Sequence, residues 1–282
     1  MEVTSRRFIQ CDVFSPVPLQ GNGLAVVVDA EGISDERMQR FATWTNLAET
    51  TYLLPPTDPS ADYRVRIFTV AQELPFAGHP TLGSCASWLK CGGRPKTPGI
   101  VRQECGIGTV EVDISQSPLY AFAAPETTIK TMDPLQRMGI MQALGLSEAA
   151  IVNTVELCNG PTWQLFELKH ASDVLAVDAS RLKWPQFKFV GLFAPHDPGG
   201  ECDFEVRMFG FSSTMGEDPI TGSLNAAIAQ WMRASGRLQQ PYRVAQGTSL
   251  GRLGRVTVKP SHDGVAWIGG QVHILIEGQI HI

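Results

Sequence analysis

Between Ile9 and Val13 apolar side chains alternate with Gln10 and Asp12, the two-residue period of a half-buried strand. A second apolar run at residues 24–28 follows a turn rich in Pro and Gly, so the chain opens on a β unit. Ser34 then predicts a helix N-cap, with Asp35 and Glu36 favouring the positive helix end and Ile33 placed to staple onto Met38. Met38, Phe41 and Trp44 continue that helix. Residues 49–54 read as a strand stopped by Pro55 and Pro56, and Tyr63, Val65 and Ile67 alternate with Arg64 and Arg66 in another.

The next helix is expected to begin at Pro80, because a missing N–H costs nothing at the first helical position. Leu82, Cys85, Ala86 and Leu89 form its buried stripe, and Gly92 and Gly93 end it. Strands are expected at residues 100–105, 109–115 and 120–124. The polar stretch 126–131 marks a domain boundary, which gives an N-terminal half of residues 1–125 and a C-terminal half of residues 126–269. The strand at about residues 270–282 is free to return to the first half. Past the boundary, Asp133 and Pro134 start a helix that Gly145 closes, and strands recur near residues 151–157, 162–168 and 187–193. Gly106-Ile107-Gly108, Asn159-Gly160 and Gly269-Gly270 read as hairpin turns; no third glycine arrives where a dinucleotide loop needs one.

The chain also repeats itself. Val65-Arg66-Ile67-Phe68 stands against Val206-Arg207-Met208-Phe209. After a loop, His79-Pro80-Thr81-Leu82-Gly83-Ser84 stands against Asp218-Pro219-Ile220-Thr221-Gly222-Ser223. The second copy leads into Ile220, Leu224, Ala227, Ile228 and Trp231 at helical spacing. Strand, loop and helix thus occur twice, and the expected fold is α+β in two pseudo-symmetric halves. Free helix N–H groups are expected at residues 81–83 and 220–222, and such ends bind anions. With the halves packed about a pseudo-two-fold axis, both ends are expected to face one cleft and hold a small carboxylate or enolate, Gly83 and Gly222 permitting close backbone approach. The plainer reading makes His79 and Asp218 simple N-caps. Arg66 and Arg207 alternate with core residues and are expected to face outward, although their equivalence leaves a carboxylate clamp open.

Composition narrows the class. At ~150 residues per domain, 282 residues fit two domains. Hydrophobic residues make up 43% and charged residues 18%, enough for a core and against disorder. Lys and Arg number 23 against 28 Asp and Glu, and the resulting charge of −5 has the wrong sign for a nucleic-acid partner. The six cysteines show no C-x-x-C pair or zinc spacing, and Cys85, on an apolar stripe, reads as a buried thiol. His170, His196, His262, His273 and His281 show no close pairing. The longest aliphatic run, residues 24–28, is far too short for a membrane span, and the N-terminus lacks a signal-type apolar region; a cytoplasmic protein without a membrane partner is expected.

Four motifs occur in order: Asp12-Val13-Phe14 with Gly21-Asn22; Asn46-Leu47-Ala48-Glu49-Thr50-Thr51; Leu74-Pro75-Phe76-Ala77-Gly78-His79-Pro80-Thr81-Leu82-Gly83; and Glu217-Asp218-Pro219-Ile220-Thr221-Gly222-Ser223. Over most of the chain this resembles the PhzF-like proteins of phenazine biosynthesis, which share the diaminopimelate epimerase fold. The resemblance implies halves that each wrap a curved mixed or antiparallel sheet around a central helix. It implies a cofactor-independent isomerase without metal, in which Glu49 is the general acid/base that moves a proton between carbons of a small cyclic acid. It also implies that Gly78, His79, Asp218, Gly222 and Ser223 line the pocket, that His79 and Asp218 assist catalysis, that Asn22 reaches in from the first turn, and that the protein is a homodimer. Epimerases of this fold carry a cysteine at each helix end; His79 and Asp218 at those places disfavour a two-thiol racemase. Ala48 stands where the family often has Ser, and Gly23 where Pro is common, which leaves the small anionic substrate unnamed. The alternatives are an amino- or hydroxy-acid epimerase, with Glu49 opposed by His79 or Asp218, and a non-catalytic small-molecule binder.

Overall fold

The computed structural model describes residues 4–178, 180, 189–210 and 216–282. The chain divides into two compact units, Met1–Ala123 with Gly269–Ile282, and Ala124–Ile268.

The first unit holds β1 (Ser5–Val13), β2 (Asn22–Val27), α1 (Asp35–Thr45), β3 (Glu49–Leu54), β4 (Tyr63–Phe68), β5 (Glu73–Leu74), α2 (Gly78–Lys90), β6 (Ile100–Cys105), β7 (Gly108–Gln116) and β8 (Leu119–Ala123). The second holds β9 (Thr128–Lys130), α3 (Pro134–Leu144), β10 (Ile151–Cys158), β11 (Thr162–Leu168), α4 (Ala171–Leu175), β12 (Phe189–Pro195), β13 (Phe204–Gly210), β14 (Glu217–Asp218), α5 (Gly222–Ala234), β15 (Tyr242–Gln246) and β16 (Gly254–Pro260). A long β17 (Ala266–His281) leaves the second unit and lies antiparallel along β1, from Val13 opposite Val272 to Ser5 opposite His281.

Strands in the first unit curl round to meet. β1 is antiparallel to β2, β2 parallel to β3, β3 antiparallel to β4, β4 parallel to β6, β6 antiparallel to β7 and β7 antiparallel to β8, which pairs with β17. In the second unit β10, β11, β12, β13, β15 and β16 repeat the alternation of antiparallel and parallel neighbours. Each unit is a mixed, barrel-like sheet with one buried helix, the α+β architecture expected. In α2 every residue from Gly78 to Ser87 is buried, and in α5 every residue from Gly222 to Gln230. A helix enclosed on all sides needs small, uncharged side chains, and both sequences supply them. The hydroxyls that α2 brings inside are bonded: Ser84 Oγ to Thr51 Oγ1 at 2.9 Å, and Ser87 Oγ to the Gly83 carbonyl at 2.8 Å.

Local rules located most ends. Ser34 caps α1, its Oγ accepting from Arg37 N, and Asp133 and Gly145 bracket α3. Two expectations fail. Gly269-Gly270 is no turn but lies inside β17. Pro80 is not the first residue of its helix, since α2 starts at Gly78; Pro is tolerated at the third position because that N–H has no intrahelical acceptor either. Of the strand expected at residues 187–193, residues 187 and 188 lie outside the described residues.

Candidate active site

Glu49 opens β3 just past the end of α1. Asn46 takes the left-handed conformation there (φ 56°, ψ 26°) and turns the chain, its N–H reaching the Ala42 carbonyl. The two threonines after Glu49 fasten the strand start. Thr50 Oγ1 lies 3.0 Å from Thr45 Oγ1 at the tail of α1, and Thr51 accepts from Ser84 of α2. The glutamate is thereby held between both helices.

His79, the second residue of α2, is 3% exposed, and its Nε2 lies 3.2 Å from Glu49 Oε2. Its Nδ1 lies 3.3 Å from Nδ2 of Asn22, itself 2% exposed. An amide nitrogen only donates, so Nδ1 accepts and the ring proton sits on Nε2, the nitrogen nearer Glu49. Asn22 is steadied in turn by its neighbour: Gly21 N–H donates to Asp12 Oδ2 at 3.0 Å. Burial pushes His79 down to about 3, so the imidazole is neutral at physiological pH. A proton on Nδ1 would also face the Asn22 donor. His79 is therefore a neutral ring beside the Glu49 carboxylate. Burial likewise holds Cys11, up at about 12, and Cys85, raised further, as thiols, and neither supplies a thiolate.

In the second unit Asp218 closes β14 and its Oδ2 accepts from the Thr221 hydroxyl at 2.6 Å. Gly222 and Ser223 are the first two residues of α5. Neither His79 nor Asp218 is an N-cap: those positions belong to Ala77 and Thr221, and neither makes a side-chain cap bond. The first helical bonds run from Thr81 N to the Ala77 carbonyl and from Asn225 N to the Thr221 carbonyl. The amides ahead of them are Gly78 and His79 in one unit, Pro80 having none, and Gly222, Ser223 and Leu224 in the other. Residues 81–83 and 220–221 are corrected accordingly. Gly83 leaves the candidate site too. It lies inside α2, where a Cβ would meet Leu24 Cδ2 at 2.6 Å and Cys11 Sγ at 2.8 Å, so its role is close packing of helix on sheet.

The strand register also corrects the repeat. Phe68 faces Glu73 across β4 and β5, just as Phe209 faces Glu217 across β13 and β14. The repeated unit is Glu73-Leu74-Pro75-Phe76-Ala77-Gly78 against Glu217-Asp218-Pro219-Ile220-Thr221-Gly222, each leading into a helix of 13 residues. His79 corresponds to Ser223, and Asp218 to Leu74. In both units the strand arginine forks onto the leading glutamate, Arg66 on Glu73 and Arg207 on Glu217. Arg207 does not face outward: its side chain is 4% exposed, and Nη1 also binds the Val174 and Val177 carbonyls.

Correct alignment exposes residues that the sequence reading passed over. Asn159, taken only for a turn residue, is the counterpart of Asn22, and its Nδ2 donates to the Ser223 carbonyl at 2.8 Å while Oδ1 accepts from Trp163. Gln103 on β6 donates to Thr81 Oγ1, and Gln246 on β15 accepts from the equivalent Asn225; both are fully buried. Two copies of Asn-Gly before an apolar strand were the available signal. His196, expected to show no close pairing, lies 3.0 Å from buried Glu205, away from these residues in the chain. Among the described residues no three His, Cys, Asp or Glu converge as metal ligands, and no helix is long and apolar enough to cross a membrane.

Comparison with known proteins gives the family. The family model described as phenazine biosynthesis-like protein (PhzC-PhzF) matches residues 11–278. Antisense-enhancing sequence 1 of Schizosaccharomyces pombe is 33% identical, over 99% of this chain and 100% of that one. Trans-2,3-dihydro-3-hydroxyanthranilate isomerase of Pseudomonas fluorescens is 30% identical over 87% of each chain. Among solved structures, a predicted epimerase from Pseudomonas aeruginosa superposes with a TM-score of 0.80 at 28% identity, covering 98% of this chain and 99% of that one. The chain belongs to the phenazine biosynthesis-like, or PhzF, family of isomerases.

Proposed function

We propose that this protein is a cofactor-independent isomerase that moves a proton between carbons of a small anionic, cyclic acid, with Glu49 as general acid/base. The observation that supports this most is the buried line from Asn22 through neutral His79 to Glu49. A carboxylate set against a neutral imidazole can take a proton from carbon beside an unsaturated or carbonyl system and return it at another carbon. His79 stands beside it without becoming an ion itself. The uncapped amides at Gly78 and His79, in the same unit as Glu49, suit the charge that develops when the proton leaves. Asp218, whose carboxylate already accepts from the Thr221 hydroxyl, takes a substrate amine or hydroxyl.

The compound to test first is trans-2,3-dihydro-3-hydroxyanthranilate, named for the Pseudomonas relatives. Purified protein is expected to shift its double bonds at a rate unchanged by EDTA and without added nicotinamide. Turnover that stops with EDTA and returns with metal would overturn the proposal, as would inversion of an amino acid with no double-bond shift in any cyclic acid.

A further inference from the structure

Gln246 is fully buried at the end of β15, and four hydrogen bonds of its side chain reach residues 218–225. Its Oε1 accepts from Thr221 N–H at 3.0 Å and from Asn225 Nδ2 at 3.0 Å. Its Nε2 donates to Thr221 Oγ1 at 2.9 Å and, more weakly, to the Asp218 carbonyl at 3.4 Å. Thr221 is the N-cap residue of α5, where a hydroxyl ordinarily turns inward to accept from a helix N–H. Here its acceptor side is met by Gln246 Nε2, and its only proton goes to Asp218 Oδ2 at 2.6 Å. No side-chain cap bond forms.

The backbone around Gln246 is cut to fit this approach. A Cβ on Gly247, which sits at φ +86°, would lie 2.7 Å from the Pro219 carbonyl oxygen, and one on Gly254, opposite Gln246 in β16, would lie 2.3 Å from Ile220 Cγ1. Gln103 in the first unit also grips the fourth helical residue, but its other bond is an acceptance from Tyr63, and the cap position there is Ala77. The relay from amide to hydroxyl to carboxylate is thus confined to the unit that carries Asp218.

We propose that Gln246 is a positioning residue that turns the Thr221 hydroxyl away from the end of α5 and onto Asp218, fixing that carboxylate as an acceptor for the substrate. This rests on the reading of Asp218 as a substrate-binding group. Its mechanical part, however, can be tested without any ligand.

Gln246→Met keeps the length of the side chain and removes its polar atoms; Thr221→Val removes only the hydroxyl. In protein labelled with ¹³C at Asp carboxyls, the Asp218 resonance is expected to move in both variants, and to move no further when they are combined. An unchanged resonance in Gln246→Met beside a shifted one in Thr221→Val would show that Gln246 only fills space, and would overturn the proposal. Binding of anthranilate, which has the ring, carboxylate and amine but no saturated ring carbon to give up a proton, is expected to weaken by about tenfold or more in each single variant, since a hydrogen bond to a charged group is lost. With trans-2,3-dihydro-3-hydroxyanthranilate the loss is expected in KM, with the pH profile of kcat unchanged. Should Gln246→Met fail to fold, Gln246→Glu keeps an acceptor for Thr221 N–H and Asn225 but competes with Asp218 for the Thr221 proton, and the same resonance shift is expected. A wild-type resonance that ignores Thr221→Val would also refute the relay. Normal resonance shifts with no binding or turnover would instead count against Asp218 as a substrate group, and so against the functional reading on which the proposal rests.

Discussion

At the scale of single residues, His79 makes a prediction in pH. Its folded value, about 3, lies below the 6.5 of a free imidazole, because burial penalises the charged ring. Between those values the unfolded chain binds the proton and the folded chain does not. The stability His79 permits at neutral pH is therefore lost as pH falls from about 6.5 towards 3. Denaturant unfolding at about pH 7 and about pH 5 should show a larger loss for the wild type than for His79→Gln. Equal losses would mean that the ring is not buried neutral beside Glu49. Glu49 itself was legible, because a motif of six residues surrounds it. Gln246 was not, since nothing near it in the chain announces that it reaches Thr221 and Asp218.

At the scale of elements, the strand arginines separate two kinds of ion pair. Arg207 and Glu217 are 4% and 5% exposed, whereas Arg66 and Glu73 are 22% and 41% exposed. Truncating Arg207 to Met strands a buried carboxylate and frees the Val174 and Val177 carbonyls, which should cost about 3–5 kcal/mol. Arg66→Met breaks its pairs with the exposed Asp35 and Glu73 and should cost about 1 kcal/mol or less. Denaturant midpoints of the two variants check the order, and equal losses would contradict the burial argument. Alternation along a strand could not foresee this difference. It places Arg66 and Arg207 on the same face, but only the fold covers one of them, with the carbonyls of α4 and the segment after it. The repeat was misaligned for a related reason. Pro219-x-x-Gly222 matches both Pro75-x-x-Gly78 and Pro80-x-x-Gly83, and a neighbouring serine favoured the wrong pair. Only the pairing of Phe68 with Glu73 and the helix start at Gly78 select the right one.

At the scale of the whole molecule, one scaffold occurs twice with different side chains at matching positions. Sheet order, the Glu-x-Pro-x-x-Gly entry, the asparagine that reaches the second helical residue and the glutamine that reaches the fourth are shared. The chemistry is not: His79 faces Glu49 in one unit, and its counterpart in the other is Ser223, while Asp218 matches an inert leucine. In the proposed reading the first unit handles the proton. That makes Glu49 the central claim, and solvent deuterium tests it directly. In D₂O, wild-type protein turning over trans-2,3-dihydro-3-hydroxyanthranilate should place deuterium at the carbon that receives the proton. Glu49→Gln should fold and bind anthranilate as the wild type does, with incorporation slower by a factor of about 10² to 10⁴. Incorporation at the wild-type rate in that variant would contradict the account.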